Sequence, residues 1–267
     1  MPEIIVDGRR LRCDEGETIL DVCGRNKIKV PTLCYHEAVE SWGGCRLCMV
    51  EISHPKWPGW KDWVTACLYP VRDGLVVGTG TPRVRRLRAT VLDLLLARCP
   101  NSDVIRSLAA EYGIEETSYQ PREDGDNCIL CGLCVRVCAE VIGANAIGTA
   151  GRGTSKEISE PLKEPPADCI GCAACAYVCP TNVIMVLQSR TQRIIWDRSF
   201  DMVVCKQCGK SHITVAQRDW LVKRNDLPAD YYDLCDECKR KVVANTQKNL
   251  ASMKYPGEDD LFDIDYI

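Results

Sequence analysis

Nowhere in the 267-residue sequence does an apolar run approach the roughly eighteen residues that a membrane-spanning helix needs. The stretch from Met1 to Glu17 carries scattered charges and lacks the apolar segment of a secretory leader, so the reducing cytoplasm is the expected location. A basic excess is missing too. Asp and Glu number 37 against 34 Lys and Arg, giving a net charge of −3, which argues against nucleic acid as a partner. No G-x-G-x-x-G fingerprint follows a strand-like segment, and Gly151-Arg152-Gly153 sits where no dinucleotide fold fits. NAD and flavin, if they matter to this chain, are expected on other subunits.

Cysteine is what the sequence has in excess. There are 19, and most fall in C-x-x-C pairs. Disulfide frameworks need no such short spacing, whereas a thiolate metal site does, because neighbouring ligands must converge on one centre. Several small metal-held modules are the expectation.

Three constellations stand out. The first is Cys34, Cys45, Cys48 and Cys67, spaced C-x10-C-x2-C-x18-C. Its order matches the plant-type [2Fe-2S] pattern with a longer first gap, and Gly43-Gly44 ahead of the central pair allows backbone N–H groups to approach sulfur. His36 stands two residues from Cys34, but a Rieske centre requires two histidines in paired motifs, so His36 is read as a non-ligand and His54 as a loop residue. The second constellation is a doubled run. Cys128, Cys131, Cys134 and Cys138 are spaced C-x2-C-x2-C-x3-C, and Cys169, Cys172, Cys175 and Cys179 repeat the spacing before Pro180. This is the two-cluster [4Fe-4S] ferredoxin pattern, in which the fourth cysteine of each run serves the other cluster. One cluster is then expected on Cys128, Cys131, Cys134 and Cys179, the other on Cys138, Cys169, Cys172 and Cys175. Ala139 replaces the proline that follows the second run.

The third constellation is Cys205-x2-Cys208-Gly209 with Cys235-x2-Cys238. Two such knuckles suit a four-thiolate zinc site closing a small ribbon, with a further Fe–S cluster as the alternative, since spacing alone does not separate the two metals. His212 is not needed once four thiolates fill the shell. Cys13, Cys23 and Cys99 remain, and are read as buried structural thiols.

An α+β chain of modules follows. EIIVDGRRLRC reads as a hairpin about Asp7-Gly8, and Thr18 then caps a helix burying Ile19, Leu20, Val22 and Cys23. Hairpin and helix predict a β-grasp [2Fe-2S] domain over 1–82. Residues 83–122 carry helical periodicity interrupted at Pro100 and reopened by Ser102-Asp103, predicting a helical spacer whose basic run Arg83–Arg88 lies on a solvated or partner-facing surface. The two-[4Fe-4S] ferredoxin domain is placed at 123–190 and its halves read as an internal repeat. The four-cysteine zinc-ribbon-like domain occupies 191–250, and an acidic tail 251–267.

The segments TILDVCGRNKIKVPTLCYHE, GGCRLCMVE, TACLYPVRDGLVV and NCILCGLCVRVCAEVIGANAIGTAGRG resemble the iron–sulfur subunits related to the large cluster-bearing subunit of complex I, the NADH dehydrogenase. Relatives of that kind also serve NAD-linked hydrogenases, formate dehydrogenases and electron-bifurcating or transhydrogenase complexes. The resemblance covers about residues 3–190. It implies an electron-transfer subunit that relays single electrons between a flavin- and NAD(P)-binding partner and other redox centres of a multisubunit oxidoreductase, with no self-contained active site. Many such relatives bind an extra [4Fe-4S] cluster through a His and three Cys after the β-grasp module; here that stretch offers only Cys99, so this cluster is expected to be absent. The molybdopterin-type and hydrogenase H-cluster domains have no counterpart, which implies a short relay subunit. Partner docking is expected around Cys45 and Cys48, with Trp42 and Arg46 in the contact. The competing readings are a free-standing ferredoxin-like carrier and the iron–sulfur subunit of a succinate or fumarate oxidoreductase.

Overall fold

The computed structural model describes the backbone of residues 1–252 and the side chains of residues 1–248, so the acidic tail beyond Ser252 lies outside the described residues. The described chain divides into two units: Met1–Cys169 with Ala173–Met185, and Ile170–Cys172 with the residues from Val186 onward.

The first unit opens with β1 (Glu3–Val6) and β2 (Arg9–Arg12), paired in antiparallel register through Asp7 and Gly8, whose φ angles are +46° and +82°. Positive φ at both central residues is what a tight hairpin demands. Helix α1 (Ile19–Arg25) begins at a reciprocal capping box in which Thr18 and Asp21 satisfy one another's backbone N–H groups. Strands β3 (Met49–Ser53), β4 (Lys61–Thr65) and β5 (Val76–Gly78) complete a five-stranded sheet of order β2-β1-β5-β3-β4, in which only β1 and β5 run parallel. Ile4, Val6, Val50, Ile52 and Val77 point from this sheet onto Ile19, Val22 and Cys23 of α1, forming one closed apolar core.

Thr81 caps α2 (Pro82–Arg98), and Ser102 caps α3 (Asp103–Ala110), which packs on α2. The basic run at the start of α2 is not all solvated as expected. Arg83, Arg85 and Arg86 are exposed, but Arg88 is buried and donates through Nη2 to Met49 O at 2.7 Å. One guanidinium in four is turned inward to satisfy a carbonyl that β3 leaves free. Beyond α3 the unit contains α4 (Leu133–Arg136), a π-helical turn (Val137–Ile142), the hairpin β6 (Gly148–Ala150) and β7 (Glu157–Ser159), and α5 (Ala174–Tyr177).

The second unit is a four-stranded antiparallel sheet of order β11-β10-β9-β8, made from β8 (Leu187–Gln188), β9 (Gln192–Ile195), β10 (Arg198–Val204) and β11 (Ser211–Thr214). Helix α6 (Val215–Asn225) follows from a Thr214 cap, and α7 (Asp236–Ser252) follows a short 3-10 turn. Thr214 Oγ1 donates to Ile170 O at 2.5 Å and Arg193 Nη1 to Gly171 O at 2.7 Å. Gly171 is required there, since a Cβ at this position would stand 2.7 Å from the Phe200 ring.

Candidate metal centres

Cys34, Cys45, Cys48 and Cys67 converge on loops at one end of the β-grasp sheet. Cys34 and Cys67 follow α1 and β4, while Cys45 and Cys48 close the loop into β3. The thiols associate in two pairs. Cys48 Sγ lies 3.4 Å from Cys67 Sγ, and Cys45 N donates to Cys34 Sγ at 3.3 Å. The thiol hydrogen bond from Cys34 draws Cys45 down to about 5, and that from Cys67 draws Cys48 down to about 7, while Cys34 and Cys67 are pushed up in turn. Cys45 and Cys48 are thereby eased toward the thiolate form that a metal binds. The loop that carries Cys45 needs left-handed backbone on both sides of it, at Gly43 with φ +64° and at Arg46 with φ +57°. His36 Nδ1 accepts from Ala38 N at 3.1 Å, and His54 Nδ1 accepts from Lys56 N at 3.1 Å while its Nε2 lies 3.1 Å from Asp73 O.

The doubled run has a doubled backbone. Leu130 and Gly132 in the first half, and Gly171 and Ala173 in the second, occupy the same places between cysteines, and all four have φ between +53° and +69°. A short helix, α4 or α5, then carries the third cysteine of each run. In the first run the left-handed residues fold the C-x-x-C into a nest whose amide faces sulfur, with Leu130 N donating to Cys128 Sγ at 3.4 Å, and outside that motif Ala146 N donates to Cys138 Sγ at 3.3 Å. Burial pushes Cys131 up to about 11 and Cys134 up to about 12. Cys179 adds a smaller upward push on both Cys128 and Cys131.

At the C-terminal site the Sγ atoms of Cys205, Cys208, Cys235 and Cys238 all lie within 4.8 Å of one another. A tetrahedron with metal–sulfur bonds of about 2.3 Å has edges of about 3.8 Å, and Cys208 Sγ lies 3.7 Å from Cys235 Sγ. Cys235 N donates to Cys205 Sγ at 3.3 Å, and this is the main reason Cys205 falls to about 6. The first pair sits in the β10–β11 turn. The second flanks the first turn of α7 instead of a second hairpin, so the module departs from a simple ribbon. His212 Nε2 contacts Tyr232 O at 2.9 Å and stands outside the four-thiol group. Cys13, Cys23 and Cys99 are fully buried, and burial raises all three thiols, Cys23 to about 11 and Cys99 to about 12.

Two further arginines not singled out as functional in the sequence hold ligand loops by their backbone carbonyls. Arg98 Nε donates to Cys128 O at 2.7 Å, and Arg136 Nη2 donates to Cys34 O at 2.8 Å. The signal available for Arg136 was its position inside the cysteine run, a charge between Cys134 and Cys138.

Residues 3–82 match a 2Fe-2S iron-sulfur cluster binding domain and residues 127–183 a 4Fe-4S dicluster domain. One of the NADH-quinone oxidoreductase subunits of Rhizobium meliloti is 28% identical over 91% of this chain and 33% of its own length. A likeness of that extent reaches past Cys238 wherever it starts, so it takes in the C-terminal four-cysteine module. The NADP-reducing hydrogenase subunit HndD of Solidesulfovibrio fructosivorans is 31% identical over 69% of this chain and 36% of its own length. Among solved structures, a chain of the NAD+-reducing [NiFe]-hydrogenase in the H2-reduced state superposes with a TM-score of 0.58 at 26% identity, over 68% of this chain and 85% of that one. The chain spans about a third of the length of the curated relatives it matches. It is an iron–sulfur protein with [2Fe-2S]- and [4Fe-4S]-binding domains, related to subunits of the NADH-quinone oxidoreductases and of NAD(P)-linked hydrogenases.

Proposed function

We propose that this chain relays single electrons within a multisubunit oxidoreductase, between a flavin- and NAD(P)-binding partner and further redox centres. The observation that carries the reading is the presence, in one chain, of a plant-type cysteine set on a complete apolar core and of a doubled cysteine run whose two halves repeat the same left-handed backbone. The pairing of thiols suggests that Cys34 and Cys45 hold one iron of a [2Fe-2S] cluster and Cys48 and Cys67 the other. Cys128, Cys131, Cys134 and Cys179 hold one [4Fe-4S] cluster, and Cys138, Cys169, Cys172 and Cys175 the second. When bound, these clusters supply one-electron chemistry at potentials set by burial, charge and N–H···S contacts. The chain's own part is to position the thiolates, exclude water from them and aim amides at sulfur. No general acid, base or nucleophile is called on.

Cys205, Cys208, Cys235 and Cys238 hold a single zinc ion. The short Sγ separations favour four thiolates around one ion over a cubane, in which each thiolate binds a different iron and stands farther from its neighbours. That site is structural and redox-silent. Among the described residues no helix is long and apolar enough to cross a membrane, and the cytoplasm suits a protein so dependent on reduced thiols.

The test is reconstitution of the anaerobically purified chain with its co-purifying flavoprotein, following cluster reduction by EPR after NADH or NADPH is added. Reduction is expected only with the flavoprotein present, because a hydride must first be split into single electrons. Rapid reduction by NADH in the flavin-free chain alone overturns the relay.

A further inference from the structure

We propose that Arg136, with Trp42 laid beside it, is the bridge that couples the two-iron site to the four-iron site of the first cysteine run. Its fork holds the two ligand loops together, and its charge is shared between the two sites. The inference deepens the relay reading and rests on it.

The geometry is specific to these residues. Arg136 stands at the end of α4, two residues after Cys134, and its guanidinium reaches out of the cysteine run into the β-grasp loop. Nη2 donates to Cys34 O at 2.8 Å and, more weakly, to Cys131 O at 3.5 Å, while Nη1 donates to Glu40 O. One side chain thus binds the carbonyl of a two-iron ligand and that of a four-iron ligand. Glu40 N in turn donates to Glu140 Oε2 at 2.8 Å, a second clasp between the same two segments.

Trp42 closes the junction. Its indole lies against Gly44 on one loop and Gly132 on the other. A Cβ on Gly132, which is held at φ +69°, would stand 2.9 Å from Trp42 Cζ3. Arg136 and Lys156 approach the indole ring at 5.8 and 5.7 Å. Trp42 is 45% exposed, so about half of it is spent on this internal contact and not on a partner.

Arginine suits this place because its planar fork presents several donors in fixed directions and stays charged, where lysine offers a single mobile point charge. A partly buried positive charge beside two centres stabilises the more negative, reduced form of each. In the coupling step one electron passes from the reduced centre, which is oxidised, to the oxidised centre, which is reduced. No bond forms or breaks and no proton moves. Arg136 and Trp42 act as positioning residues that fix the separation across which this happens.

The experiment uses the full chain, purified anaerobically, as wild type, R136M, R136K and W42A. EPR-monitored redox titration gives the midpoint potentials, and microwave power saturation of the two-iron signal reports how strongly the neighbouring four-iron centre relaxes it. R136M is expected to shift the one-electron equilibrium of each site about tenfold toward the oxidised form, which is about 59 mV, and to make the two-iron signal saturate at lower power. R136K is expected to recover the potentials without recovering the relaxation. W42A should weaken the relaxation and leave the potentials in place. Unchanged potentials and unchanged saturation in R136M overturn the bridge. If R136M fails to assemble its clusters, unchanged saturation in both R136K and W42A overturns it. A wild-type chain lacking either the two-iron or a four-iron signal sinks the relay reading, and the bridge with it.

Discussion

The β-grasp module and the C-terminal module both gather four cysteines, yet they are held together by different forces. In the first, Ile4, Val6, Ile19, Val22, Val50, Ile52 and Val77 are at most 1% exposed, and Cys48 and Cys67 are two members of a larger, mainly aliphatic core. In the second, Ile195, Phe200, Met202 and Val203 are buried on the sheet, but the cluster around the site consists of Cys205, Cys235 and Cys238, with Leu234 beside it, and α6 buries none of its residues. A segment such as 205–238, whose local core is its own ligand set, is expected to need a metal to hold its fold, because a thiolate site contributes free energy that apolar burial does not supply there. A module with an independent core leaves its metal free for chemistry, the role proposed for the β-grasp site. On the proposed function, this difference is what sets the redox centre apart from the structural one.

The largest expected effect follows from removing the C-terminal metal. Structural zinc contributes about 10–16 kcal/mol in small zinc-finger peptides, so C205A, C235A or a strong chelator should open residues 205–238 to limited proteolysis while residues 3–82 stay protected. Equal loss of both regions would erase the contrast. The reciprocal experiment is C34S. It should abolish the two-iron EPR signal but leave the far-UV circular dichroism and the unfolding midpoint of the β-grasp module close to wild type.

A smaller effect is expected from I52A, at about 2–5 kcal/mol of destabilisation in urea unfolding, since Ile52 fills the core from β3. R88M should cost about 1–3 kcal/mol, by leaving Met49 O without the buried donor that now meets it. Cluster content should be preserved in R88M, because the arginine supports the strand and touches no cysteine.

The smallest effect concerns Asp93 on α2. Its carboxylate accepts hydrogen bonds from the Thr117 and Ser118 hydroxyls and from Ser118 N, and these hold its pKa below the ordinary value. A depressed folded-state pKa means stabilisation that is present above the unfolded value of about 3.9. It is lost as pH falls through the lower, folded one. D93N should therefore lose a small part of the acid dependence of stability, measured between neutral pH and pH 3, with no change in cluster spectra.

The sequence made much of this legible because its signals were short-range. Asp7-Gly8, the Thr18 cap and the buried face of α1 follow from turn and capping chemistry. The repeat of the cysteine run reappears as left-handed φ angles at matching positions. What could not be read were contacts between residues far apart in the chain. Arg88 looks like one of four equivalent basic residues until β3 supplies a carbonyl 39 positions away. Arg136 looks like a surface charge until Cys34 is brought to it across 102 positions. Trp42, expected on a partner-facing surface, turns one face onto Gly132. Charge patterning along a helix cannot show which arginine will meet an unpaired carbonyl, because that depends on where the next module docks.

The division between redox modules and a metal-folded module is tested most directly by metal analysis and Mössbauer spectroscopy of the anaerobically purified chain. The account predicts about ten irons, distributed as one two-iron and two four-iron clusters, together with one zinc per chain. About fourteen irons and no zinc would contradict it, since the C-terminal cysteines would then hold a third cubane and belong with the electron carriers.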